Sequence, residues 1–600
     1  MGEELKGVPL WSSSSASPYR ENQYIMARES VNEQPDAIPL NSIEIAEQDA
    51  PIIEGPPEKA APSERREIAK SASLVMLGNL GSSIMGMVRQ IVVASLGTPV
   101  AGPFNSALLP AQTFNDFLVN GSVSGALIPT FNDYAAPEKR NELRRLVFTI
   151  VNLVLLVMFC AGVIFVFISS WFVDTILVPG YAPAQQQLTL QFAQIIFFSL
   201  LALGPFAVLL AALYALKEFG WPAFATASYH AGIILGAIAG SLLGAHYYGY
   251  LGLAIGVLVG AAGEIALLLP GIHNQRLRYL FVLDLKQPAL RRIVKLYIPV
   301  AFSFLVSMGL IYLDQNLASR TPCGIIANFP LQKGTCGAAN YTAMRLATTL
   351  IQFPVGLVAA ALSFAVLPTL STHAREGNNE RFKETLLLGF RVGLLLMVPA
   401  AVGLIVLRQP IVDLLFRHHN YTAEDAARTA IALQNYAYQL PFVALDQLLI
   451  AAFYARKNTI IPVTIGVVSI LGYLAVALPL WSTVGMPALA FANTVQNSLH
   501  PIILLILLRL IMGSLHIRKL LPTVLKILLA AAAMGAIAWA MQLLLGHIAL
   551  FSLDRLSGSL LTVIIAGGLA SLVYTGGVLL LRVEEVNLIV GALKAKLGRK

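Results

Sequence analysis

Six ionisable residues sit inside long apolar runs of this sequence: Arg89, Asp116, Glu264, Asp314, Arg345 and Asp446. At the centre of a bilayer each would cost about 2.5–3.5 kcal/mol by insertion scales, so each calls for a partner or a wet cavity. The two arginines carry the sharper chemistry. A guanidinium stays charged and presents a planar fork of donors that grips phosphate oxygens bidentately. Arg89 and Arg345 are therefore expected to face a shared cavity and hold an anion. The competing readings are that Arg89 snorkels to an interface and that Arg345 pairs with an acid such as Asp314. The four acids are read first as structural.

Other reactive patterns are few. The chain has no Gly-rich loop ending in Gly-Lys-Ser/Thr and no His-Glu-x-x-His, and the adjacent pair His418-His419 reads as solvated loop residues rather than a metal site. No enzymatic activity, cofactor or metal is expected, and any transport would draw on an ion gradient, the membrane potential or substrate supply. Cys160 lies in an apolar run and reads as a small core residue. Cys323 and Cys336 fall together in the short segment 321–337. In an oxidising compartment they would close a disulfide; the alternative is two unpaired loop thiols.

The elements that must position these residues are membrane spans. The composition, 56% hydrophobic against 12% charged, is far from that of a soluble domain. Runs long enough to cross about 30 Å of hydrocarbon as helices can be drawn about fourteen times between 70 and 582. The expected class is an all-α integral membrane protein. Its middle is written twice: Ala126-Leu127-Ile128-Pro129-Thr130 returns 239 positions later as Ala365-Val366-Leu367-Pro368-Thr369. Tyr214, Lys217 and Pro222 return at an offset of 240 as Tyr454, Lys457 and Pro462. Six spans per copy bring the chain back to its starting side, so the copies are expected as parallel repeats about an axis along the membrane normal, with a cavity between two lobes.

The expected division is a disordered cytoplasmic tail over 1–67, a first lobe over 68–271, a second over 272–511, a helix pair over 512–582 and an amphipathic tail over 583–600. In the tail, Val586, Ile589, Val590, Leu593 and Leu597 share one helical face. Lys and Arg cluster in alternate loops, among them Lys139 to Arg145, Arg276 to Lys295 and Arg375 to Arg391. The positive-inside rule then places both termini in the cytoplasm and the 321–337 segment outside. The net charge of +9 reflects inner-leaflet lipid contact rather than nucleic-acid binding.

Several motifs occur in order. Gly86-Met87-Val88-Arg89-Gln90 precedes Gly121-Ser122-Val123-Ser124-Gly125-Ala126-Leu127-Ile128-Pro129. Arg345-Leu346, Phe353-Pro354-Val355-Gly356-Leu357 and Leu367-Pro368-Thr369-Leu370-Ser371 follow, and then Phe453-Tyr454-Ala455-Arg456-Lys457 with Ile461-Pro462-Val463. Over residues 68–582 this pattern resembles the MurJ/MviN lipid II flippase family. The resemblance implies the multidrug/oligosaccharidyl-lipid/polysaccharide exporter fold, with two six-helix lobes and a final helix pair forming a lipid-tail groove. It also implies a bacterial cytoplasmic-membrane location and a polyprenyl diphosphate peptidoglycan precursor as substrate. Arg89 and Arg345 match two cavity arginines of that family. Ser83, Asn115 and Asn120 stand where relatives carry charged groups and are expected to add neutral hydrogen bonds, while Asp116 puts an acid on a helix that is usually basic.

The expected function is a flippase for a lipid II-type precursor, in contact with membrane lipids and with cell-wall synthesis proteins as potential partners. Three alternatives stay open: a flippase for another lipid-linked oligosaccharide, a cation-coupled drug exporter of the same superfamily, and a transport-inactive cell-wall scaffold. A drug exporter would stop near twelve spans and use acidic cavity residues. A scaffold would account for the missing charges and the long N-terminal tail.

Overall fold

Prolines and glycines punctuate the chain where its apolar runs end, and helices fill the intervals. The structure, a computed structural model, describes residues 62–117, 126–242, 248–324, 329, 334–548, 551 and 555–586. The first half holds α1 (Pro62–Ser95), α2 (Thr98–Asp116), α3 (Ile128–Asn132), α4 (Arg140–Phe172), α5 (Pro183–Phe197), α6 (Leu200–Ala215), α7 (Gly220–Leu242) and α8 (Tyr248–Asn274). The second holds α9 (Pro288–Ser319), α10 (Gly337–Arg375), α11 (Asn379–Val406), α12 (Arg408–Phe416), α13 (Ala423–Ala437), α14 (Leu440–Ala455), α15 (Ile460–Leu480) and α16 (Met486–Met512). Two more, α17 (Leu521–Gly546) and α18 (Leu556–Leu580), close the series. Among the described residues no strand forms beyond one isolated bridge, Pro322 to Thr335.

Among the described residues, eight helices are long and apolar enough to cross a membrane, and ten spans result if each of two bent pairs counts as one. The all-helical membrane architecture matches the expectation; the number fourteen rests on the apolar runs of the sequence.

The bent pairs reproduce the sequence repeat in backbone geometry. Helices α5 and α6 meet at 41°, and α13 and α14 meet at 44°. Their bounds, Pro183–Phe197 with Leu200–Ala215 and Ala423–Ala437 with Leu440–Ala455, differ by 240 positions at every end. The residues closing each pair, Lys217 and Lys457, share a left-handed φ of 58°.

Helices α7 and α8 are joined by glycine. A Cβ on Gly236 would lie 2.3 Å from the Gly252 carbonyl oxygen, and one on Gly232 would lie 2.3 Å from the Gly260 Cα. With Gly256 between them, these residues let two backbones touch, the small-residue packing that works in lipid, where apolar side chains gain little by meeting each other.

At the C-terminal side, Val583 and Val586 are buried against Leu394, Ile527 and Val578. Arg391 donates to the buried Glu585 at 3.0 Å. Val586 is thus part of the core rather than of a face lying on the membrane, because Glu585 and its arginine partner anchor this turn to α11. The N-terminal tail up to residue 61 and the rest of the C-terminal tail, including Ile589, Val590, Leu593 and Leu597, lie outside the described residues.

Candidate functional site

A cavity of about 660 Å³ is lined by α1 and α10, with one residue from α7. Helix α1 contributes Ser83, Arg89 and Gln90, α10 contributes Arg345, Thr348, Thr349 and Gln352, and α7 contributes His230. Arg89 is only 7% exposed, so it does not snorkel to an interface. Arg345 donates from Nη2 to Gln112 Oε1 at 3.3 Å, while its Nε is buried without a partner among the described residues. Neither arginine forms an ion pair among the described residues. The acid proposed as a structural partner of Arg345 is occupied elsewhere: Asp314 accepts a hydrogen bond from the Tyr473 hydroxyl.

Each of the other acids has its own surroundings. Asp116, at the end of α2, is exposed and lies within electrostatic reach of Arg345. Glu264 is 3% exposed, and its Oε2 has no partner among the described residues. Asp446 bonds His500 Nδ1 at 2.6 Å. What faces the cavity is donor-rich and net positive, with both guanidiniums in one lining. An anion between them would offset that charge and take up the unused donors.

Ser83 lines the same cavity, although its hydroxyl donates to the Asn79 carbonyl of its own helix at 2.8 Å. Asn115 does not line it. The α2 side chain that reaches Arg345 is Gln112, about one helical turn earlier, and Asn115 is half-buried with its Oδ1 unpartnered among the described residues. Asn120, and with it Gly121 to Gly125, lies outside the described residues. Gln90, Gln112, His230 and Gln352 were not singled out from the sequence. Arg345, Thr348, Thr349 and Gln352 nonetheless follow the i, i+3, i+4, i+7 spacing of one helix face, a polar stripe legible in principle.

One end of the bundle is tied shut. Cys323 and Cys336 are joined by a disulfide between α9 and α10. Buried Arg428 of α13 donates to the Cys323 carbonyl at 2.6 Å and to Asn340 Oδ1 at 3.1 Å. At this end the two halves of the chain meet. The Asn420 amide donates to the Ser95 carbonyl at 3.1 Å, and Thr98 Oγ1 donates to Asp425 Oδ1 at 3.4 Å. Gln315 Nε2 donates to Ser106 Oγ at 3.0 Å. Since α1 runs toward this end, the cavity extends from Arg89 away from it, past Leu80 to the exposed Met76 and Leu77.

The lipid II flippase MurJ family model matches residues 92–557. The chain belongs to the MurJ family. Similar proteins include the probable lipid II flippase MurJ of Bdellovibrio bacteriovorus, 28% identical over 495 residues that cover 81% of this chain and 90% of that one. The probable lipid II flippase MurJ of Haemophilus influenzae is 28% identical over 484 residues, covering 76% and 89%. Among solved structures, a lipid II flippase MurJ in an inward closed conformation superposes with a TM-score of 0.67 at 20% identity, covering 84% of this chain and 98% of that one. An inward-facing multidrug resistance MATE family transporter of the MOP superfamily gives 0.59 at 16% identity, covering 72% and 95%. These likenesses establish the fold, and with the apolar helices they make the chain a multi-pass membrane protein of the bacterial inner membrane.

Proposed function

We propose that this protein is a flippase that moves a lipid II-type polyprenyl diphosphate from the inner to the outer leaflet by alternating access. The observation that carries this reading is the single cavity in which Arg89 and Arg345, from opposite halves of the chain, stand without a carboxylate partner among the described residues. A diphosphate supplies the charge and the paired oxygens that two guanidiniums want. Ser83, Gln90 and Gln352 supply neutral hydrogen bonds around it. The halves, 68–271 and 272–511, act as two lobes, and the pair 512–582 guides the isoprenoid tail.

The charge pattern supports cytoplasmic termini and an outside position for the disulfide hairpin. On that orientation, the polar ties at the hairpin end close the outer side and the cavity opens inward, a state ready to load substrate. Complementation of a strain depleted of its own flippase tests the reading. Restored growth with extracellular exposure of the lipid-linked precursor is expected, and failure of a well-expressed protein to complement would favour the scaffold.

A further inference from the structure

The second half of the chain holds a half-buried contact that the cavity does not use. His500 of α16 lies between two acceptors on different helices. Its Nδ1 is 2.6 Å from Asp446 Oδ1 of α14, and its Nε2 is 3.1 Å from the Pro462 carbonyl in the first turn of α15. The side chains of His500 and Asp446 are 14% and 18% exposed. The corresponding position on α6, at the 240-residue offset, is Phe206, so the first half has no such carboxylate.

We propose that His500, Asp446 and the Pro462 carbonyl form a binding site for one proton, whose occupancy fixes how α15 and α16 dock on α14. The argument is a count of protons. A carbonyl oxygen only accepts, so the contact with Pro462 requires a proton on Nε2. The contact with Asp446 requires a second proton between Nδ1 and the carboxylate. A neutral imidazole beside an ionised carboxylate holds one proton for both contacts, so the observed geometry contains one more.

Release of that proton to water breaks no other bond and leaves a single N–H between two acceptors. If it serves Asp446, the Nε2 lone pair faces the Pro462 carbonyl. If it serves Pro462, the Nδ1 lone pair faces the carboxylate at the 2.6 Å contact. One contact becomes repulsive in either case, and a helix junction opens.

Four charged or titratable groups on the neighbouring helices are engaged elsewhere, and Arg509 of α16 and Arg456-Lys457 beyond α14 lie more than two helical turns along the chain from His500 and Asp446. Tyr473 of α15 is bonded to Asp314 of α9. Arg345 of α10 faces the central cavity, Arg428 of α13 holds the hairpin, and Arg391 of α11 pairs with Glu585. Because α14 packs along α10, the helix that carries Arg345, loss of the proton would reach the cavity wall. On the flippase reading, movement of the second half would then be linked to protons.

The test reads helix docking without substrate. Spin labels are placed at the exposed Leu388 of α11 and Val467 of α15 in a full-length Cys160→Ala background that keeps the disulfide. Their separation is measured by pulsed electron resonance from about pH 5 to about pH 8, the range over which histidine changes charge. The wild-type pair is expected to shift to longer distances as pH rises. Asp446→Asn should hold the short distance throughout, since an amide N–H donates to the Nδ1 lone pair and closes the bridge with no titratable proton. His500→Ala should give the long distance at every pH. A wild-type distance indifferent to pH, or an Asp446→Asn variant that shifts as the wild type does, would overturn the proposal. Because no lipid enters the measurement, its outcome stands whether or not the flippase reading survives complementation.

Discussion

Arg89 and Arg345 reach the same cavity from α1 and α10, and no carboxylate pairs with either among the described residues. Charges retained in apolar helices without a counter-ion need a ligand or water to make up for lost hydration. The role proposed for the cavity rests on that relationship, and so does the first prediction.

Lysine at either position keeps the charge and loses the bidentate fork. Arg89→Lys and Arg345→Lys should each retain part of the transport activity, and each single alanine variant should lose about tenfold to a hundredfold, the scale of a hydrogen bond to a charged group. Rates of precursor exposure at matched expression check both. Equal rates for the lysine and alanine variants would show that charge placement is irrelevant.

The hairpin should be closed in cells. Linking residues 323 and 336 stabilises the fold by about 3 kcal/mol on chain-entropy arguments. An impermeant maleimide applied to intact cells should leave both cysteines unlabelled until reductant is added. Labelling before reduction would mean that the bridge is absent.

Arg428 should matter to the same region. It is 3% exposed and serves Cys323, Asn340 and Glu424 at once. Removing one member of such a buried set leaves its partners uncompensated, a loss of about 3 kcal/mol. Arg428→Ala should lower the melting temperature of the purified protein and raise the rate at which reductant opens the disulfide. An unchanged reduction rate would separate the arginine from the hairpin.

Steric replacement at the α7–α8 contact should be severe. A Cβ on Gly256 would already lie 2.6 Å from the Gly232 carbonyl oxygen, so Gly256→Leu must drive the helices apart. Loss of folded protein in detergent is expected, whereas Gly81→Ala, with no atom within 4 Å of its Cβ, should be tolerated. Comparable yields of both variants would contradict the packing.

Much of this molecule is readable from sequence because the bilayer simplifies the code. The all-helical class follows from apolar length. The repeat seen in Lys217 and Lys457 reappears as two bent helix pairs in the same 240-residue register. The breaks inside those pairs escape the sequence reading, in which the runs 187–216 and 426–455 are single spans: Phe198-Ser199 interrupts the helix with neither Gly nor Pro, whereas Pro441 in the first turn of α14 is a start signal that the apolar run obscures. Arg89 and Arg345 were visible as costly charges. Gln112 was missed for the opposite reason: a neutral amide in an apolar helix costs little, and only the fold brings it to Arg345. Asn115 was assigned by position in a motif, which fixes a place along the helix but not the side chain that reaches across. The burial of Val586 depends on the Arg391 to Glu585 pair, a contact between distant segments that no local pattern carries.

The central claim is that two arginines hold a diphosphate during translocation. It is tested most directly by measuring extracellular exposure of lipid II in cells whose only flippase is this protein carrying Arg89→Ala and Arg345→Ala together. With normal expression and an intact disulfide, translocation should fall to the level of the depleted strain. Wild-type rates in the double variant would contradict the account and move the lipid to another route.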